Sequence, residues 1–257
     1  MKLYPLYEFP PSLEELEKLL KIIDLSPSLP IEKLREIVSQ LYGKRASRTN
    51  IQIKDLGKLG LIELGYEVSL TWETQLYIDL NRSINRLLLH NSYKINELFH
   101  NCKLICQIDP EFSVSNQALY DKILEHGYTE ENRRTASEKL YAIKRLIKSC
   151  QFENNSNPFL EYEQYIHFLT TLQSEYLLLA SGFQKNVVIS KLADALQKKG
   201  YTEEGIKRNI SLLYSDPIFA TYTSFSTVNL DFAKKDYYSI LKEDLYYIKI
   251  NKPFIKE

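Results

Sequence analysis

Between Gly43 and Gly60 stand five basic side chains, Lys44, Arg45, Arg48, Lys54 and Lys58, against one acid, Asp55. Ser47, Thr49, Asn50 and Gln52 are interleaved with them. Guanidinium and ammonium groups neutralise phosphates, and side-chain amides form paired hydrogen bonds with adenine edges. The segment also opens a helix, whose first N–H groups attract an anion. The mixture therefore suits nucleic-acid contact, although a solvated, charged helix start has the same composition. Two later sets are of the same kind: Arg133, Arg134 and Lys139, then Lys207, Arg208 and Asn209. Each follows a Thr-Glu-Glu triplet (Thr129-Glu130-Glu131 and Thr202-Glu203-Glu204), which suits the positive end of a helix and repels phosphate. Backbone contact, or a plain solvated face, is the reading for these two sets.

Other chemistry is poorly served. His100, Cys102 and Cys106 have no fourth ligand nearby, and a structural zinc site wants four. The two cysteines lie among Leu98, Phe99, Leu104 and Ile105, which suits small buried thiols. The remaining histidines, His90, His126 and His167, stand apart from any nucleophile signature. No phosphate-cradling glycine loop and no HExxH motif occurs. Neither catalysis nor a metal or other cofactor is expected. Tyr246, Tyr247 and Phe254 could stack bases but suit packing better. Lys plus Arg and Asp plus Glu balance at 33 each, so any electrostatic footprint must be local. No run of ~18 apolar residues suggests a membrane span, and the N-terminus lacks a signal-peptide core. Three cysteines, an odd number, fit a reducing, cytoplasmic setting.

The elements that must hold these side chains announce themselves by repetition. Gly127-Tyr128-Thr129-Glu130-Glu131 returns as Gly200-Tyr201-Thr202-Glu203-Glu204, a displacement of 73 residues. The same register pairs Val114 with Val187, Leu119 with Leu192, Asp121 with Asp194, Leu140 with Leu213 and Tyr141 with Tyr214. A fixed spacing of this kind marks a duplicated structural unit. Each copy reads as helix, glycine turn, helix.

Around the copies, Ser12 caps a helix to Ile23, and a second helix runs from Ile31 to Leu41. A third, capped by Ser47 or Thr49, reaches Leu59. Gly60–Leu64 and Tyr66–Leu70 form a hairpin, and Trp72–Leu89 a long helix capped by Thr71. The repeated helix pairs cover about 115–126 with 129–148, and Val187–Lys199 with Thr202–Tyr214. Glu161–Ala180 is another long helix. Ile218–Tyr222 with Thr227–Leu230 reads as a second hairpin, closed by a helix over Phe232–Tyr246. Residues 1–11 read as an extended arm, and Asn154–Pro158 as a linker. The divisions expected are 1–91, 92–157 and 158–257.

Helices, then a β-hairpin, then a closing helix: the order resembles the winged-helix superfamily. The fold expected is mostly α with small β-hairpins, as tandem winged-helix-like units joined by long helices. The resemblance implies a non-enzymatic protein that binds double-stranded DNA through the second helix of the turn. It implies equally a docking module, like the tandem winged-helix subunits that clasp linker proteins of chromosome-organising ATPases. Tandem modules would gain avidity along a duplex. A protein partner or a second copy of the chain fits the many tyrosines, of which there are 19.

Overall fold

Ser12 starts the first helix, α1 (Leu13–Asp24), by accepting the Glu15 N–H on its hydroxyl, and Leu16, Leu19, Leu20 and Ile23 form the buried stripe. Leu29–Pro30 adds a two-residue strand, β1. Helix α2 (Ile31–Tyr42) ends at Gly43, whose φ of +59° is a left-handed conformation that favours glycine. Helix α3 (Ala46–Lys58) follows at once. Its N-cap is Arg45, and no side chain caps it, so the expected capping by Ser47 or Thr49 does not occur. Strands β2 (Ile62–Leu64) and β3 (Glu67–Leu70) close an antiparallel sheet of order β1-β3-β2.

The computed structural model describes residues 1–26, 28–43, 45–151, 157–227, 238–240 and 243–254. The chain divides into two compact units, Met1–Tyr162 and Glu163–Glu257. The division expected between residues 91 and 92 falls inside the first unit.

Thr71 caps α4 (Trp72–Asp79) as expected, but one long helix to Leu89 does not form. Asn81 adopts φ +48°, a left-handed conformation that asparagine tolerates. The carboxylate of Glu17 on α1 then accepts the Ser83 hydroxyl and the Ile84 N–H, fixing the break. Helix α5 (Asn85–Lys94) resumes beyond it, followed by α6 (Asn96–Ile108), α7 (Asn116–Glu125) and α8 (Arg133–Cys150). Helix α8 is capped by Asn132, whose side chain accepts from Arg134 and Thr135, and not by Thr129. Helix α9 (Pro158–Ala180) begins in the first unit and continues in the second.

In the second unit, strand β4 (Val187–Val188) precedes α10 (Ile189–Lys198) and α11 (Glu203–Ser215), with Thr202 as the expected cap. Two expectations fail beyond it. Ile218–Tyr222 is not a strand. Asp216 accepts the N–H groups of Ile218 and Phe219, and Pro217 presets the backbone of a short helix, α12 (Pro217–Ala220). The strand comes later, as β5 (Thr223–Ser226). The closing helix over Phe232–Tyr246 is absent from its described part, which forms β6 (Tyr238–Ile240) and β7 (Glu243–Leu245). Val228–Leu230, the return of the expected hairpin, and residues 232–237 and 241–242 of the expected helix lie outside the described residues. Strand β8 (Tyr247–Ile250) buries Ile248 and Ile250 and leaves Tyr247 and Lys249 partly open, the period of a strand. It sits centrally in an antiparallel sheet of order β4-β8-β5.

Both units thus carry a helix, a short strand and two helices, then two strands of a sheet whose last strand is central, but in the second unit α12 precedes β5, and β6 and β7 stand between β5 and β8. The 73-residue register superimposes the bounds of α7 on those of α10, and both repeated glycines have positive φ, +79° at Gly127 and +94° at Gly200. The repeated tyrosine has the same task twice. Tyr128 accepts from Asn101 on α6 at 2.9 Å, and the Tyr201 hydroxyl meets His167 Nδ1 on α9 at 2.9 Å. Between these modules the described residues from Asn85 to Cys150 form helices only. The fold is mostly α with small antiparallel sheets, as expected.

Candidate phosphate-binding surface

The N-terminal arm decides which candidate side chains reach solvent. Leu3, Leu6 and Phe9 are buried to within 3% of their surface. Asp55 on α3, itself buried, accepts the N–H groups of Tyr7 and Glu8 at 2.7 and 2.9 Å. Lys58 bridges the other Asp55 oxygen (2.6 Å) and the Pro5 carbonyl (2.9 Å). The arm is therefore stitched along one side of α3.

Helical geometry sorts the rest of α3. At 100° per residue, Ser47, Ile51, Lys54 and Lys58 share one stripe, and Thr49, Ile53 and Leu56 lie opposite. Burial follows this division: Ser47 and Lys54 are exposed, while Thr49 and Gln52 are inaccessible. Thr49 and Gln52 are thereby withdrawn from any surface contact; they sit on the core face because the helix turns them there. Arg45 is exposed, Asn50 is half-buried with its carbonyl oxygen inaccessible, and Lys44 lies outside the described residues.

Arg48 points toward the arm and toward α8. One terminal nitrogen meets Glu8 at 3.2 Å and the other meets Glu138 at 3.0 Å. Glu138 also holds Arg134 at 3.6 Å. Two candidate residues far apart in sequence thus converge on one carboxylate. On α8, Arg134, Glu138, Tyr141 and Arg145 fall on one stripe at spacings of four, three and four residues. The opposite stripe, Ala136, Leu140, Ile143 and Ile147, is core. Arg133, a quarter-turn away, pairs with Asp121 on α7 at 3.1 Å. A recess of about 260 Å³ lies there, lined by Gln117, Tyr120, Arg133, Arg134 and Ser137. Lys139 is only 7% exposed and is spent on Glu131 (2.5 Å) and the Leu3 carbonyl (3.3 Å), so its expected place at the surface is corrected to a buried tie to the arm.

In the second unit, Lys207 pairs with Glu203 at 2.5 Å and Arg208 is exposed. Asn209 lines an open recess of about 390 Å³ with Glu163, Gln164, His167 and Tyr201. Glu203, at the start of α11, thus neutralises Lys207 and weakens the positive field of this set.

The cysteines and aromatics take packing roles. Cys102, Cys106 and Cys150 are buried and form no disulfide; burial raises all three thiols, Cys106 to about 12, so they stay protonated. Among the described residues no group of three or more His, Cys, Asp or Glu is placed to hold a metal ion. Phe254 packs edge-on against Phe219, and Tyr246 against Tyr247. Among the described residues no helix is long and apolar enough to cross a membrane.

Sequence reasoning missed Glu8, Glu138, Tyr141 and Arg145. The stripe on α8 was legible as helical spacing; the arm contacts were not, because they depend on tertiary packing. No family model matches the chain, and no curated protein or solved structure does.

Proposed function

We propose that the first unit binds double-stranded DNA by its phosphates, through Arg45, Arg48 and Lys54 of α3 and Arg134 of α8. The protein would act as a non-enzymatic, cytoplasmic DNA-binding regulator or accessory built from tandem winged-helix modules. The carrying observation is the meeting of Arg48 and Arg134 at Glu138. It joins two cationic segments into one face in a chain with no net charge. Arg45, Ser47 and Lys54 are also exposed at the start of and along α3, with Ser47 and Lys54 roughly a third of a turn round the helix from Arg48. The winged-helix reading is supported by the shared order of helix, short strand and two helices and by the sheet order in which the last strand is central. Three buried free thiols support a reducing compartment.

Reversing charge at Arg48 and Arg134 together, as Arg48→Glu with Arg134→Glu, tests this. Duplex binding by fluorescence anisotropy should be lost while the circular dichroism spectrum stays unchanged. Retained affinity in the folded double variant would refute the assignment.

The β2–β3 hairpin favours protein docking at its own surface. Tyr66 is 93% exposed at the tip, and Glu63 and Glu67 are exposed beside it. A hairpin with two carboxylates repels phosphate, so this element stays off the DNA in either reading.

A further inference from the structure

We infer that the α8 edge of this face receives an unpaired base, so that the preferred DNA is a duplex carrying a single-stranded extension; this rests on the phosphate-binding reading above. Tyr141 is 52% exposed at the middle of a helix whose opposite face is closed core. The Arg145 guanidinium lies 4.2 Å from its ring centroid and also donates to the Tyr141 hydroxyl. Arg145 is anchored a second time, to the Phe9 carbonyl of the arm at 3.2 Å. The ring is thus an exposed aromatic surface braced by a fixed cation, not a freely rotating side chain. Its cation partner and its exposure suit stacking with a nucleobase, which every base can supply through its π-face.

Position points to the same ligand. Tyr141 lies seven residues from Arg134 on one stripe, about 10 Å along the helix at 1.5 Å per residue. Glu138 stands between them, and Lys148 extends the stripe at the far end. A strand gripped at Arg48 and Arg134 therefore passes the ring within one or two nucleotides. In an intact duplex the bases are stacked on each other and the ring has no partner. Only an unpaired base can use it.

The test compares a blunt duplex with the same duplex bearing an oligothymidine extension, using the full chain and fluorescence anisotropy at one salt concentration. The extended DNA should bind about tenfold tighter or more, the range for one stacked base. Tyr141→Ala should bring the two affinities to one value, and Tyr141→Phe, which keeps the ring, should preserve the preference. Equal binding of the two DNAs by the wild-type chain overturns the inference and leaves the phosphate reading standing. A preference that survives Tyr141→Ala also overturns it. Failure to bind either DNA overturns both.

Discussion

Glu138→Gln should strengthen DNA binding, although it removes ion pairs from the folded protein. The carboxylate of Glu138 holds Arg48 at 3.0 Å and Arg134 at 3.6 Å, so a phosphate must compete with it for both guanidinium groups. The Arg134 side chain is 88% exposed and Arg48 38%, so each pair is worth roughly 0.2–1 kcal/mol. Removing both therefore raises affinity by a factor of about 2 to 30 and costs the fold at most a similar small amount. Arg48 keeps Glu8 in the variant, whereas Arg134 is released, and because the number of phosphates contacted stays the same the slope of log K against log salt should match the wild type. The assay is anisotropy with a blunt duplex across a salt series, with a urea melt as the control for folding. Unchanged or weaker binding by a normally folded Glu138→Gln protein would show that these arginines do not face the DNA.

Other consequences follow from the packing. His90 is largely buried, and burial, with Lys94 and Arg86 nearby, lowers its pKa from 6.5 to about 3. Between those values the unfolded chain holds a proton that the folded chain refuses. Stability is complete above pH 6.5 and falls by about 1.4 kcal/mol per pH unit on acidification toward 3. Urea midpoints from pH 7 to pH 4 should show this slope, and His90→Gln should flatten it; an equal slope in the variant would exclude His90 as its source. Asp55→Ala leaves the Tyr7 and Glu8 N–H groups without their acceptor and frees Lys58 from its partner. A loss of roughly 1–3 kcal/mol, the scale for leaving buried N–H donors without an acceptor, should accompany faster hydrogen exchange at Tyr7 and Glu8, and the Lys58 side chain, 39% exposed, adds little to it. Unaltered exchange at those amides would mean that the arm is held without Asp55.

What the sequence disclosed was mainly local. Ser12, Thr71 and Thr202 cap the helices they were expected to cap, and Gly43, Gly127 and Gly200 take the left-handed turns that favour glycine. These features depend on a few neighbouring residues, so composition suffices to find them. The errors have local and tertiary causes. Thr129 and Thr202 occupy matching places in the repeat, yet only Thr202 caps, because Asn132 offers the first copy an acceptor three residues later. Within the expected helix Phe232–Tyr246, the described residues instead pair with one another as the antiparallel strands β6 and β7. The two-residue strands β1 and β4 are too short to show any period. In the candidate site, the basic composition of α3 was visible, but the burial of Thr49, Gln52 and Lys139 was not. Thr49 and Gln52 are turned inward by the phase of α3, and Lys139 by its tie to the arm, whose own burial is hinted at only by the apolar triplet Leu3, Leu6 and Phe9.

The most direct measurement is the salt dependence of the wild-type chain on a blunt duplex. Arg45, Arg48, Lys54 and Arg134 acting on four phosphates give a slope of log K against log salt of about −3 to −4, from roughly −0.9 per phosphate. A slope in that range, reduced toward zero by Arg48→Glu with Arg134→Glu, is the expected result. A flat response, or no binding even at low salt, contradicts a phosphate-binding role for the α3–α8 face.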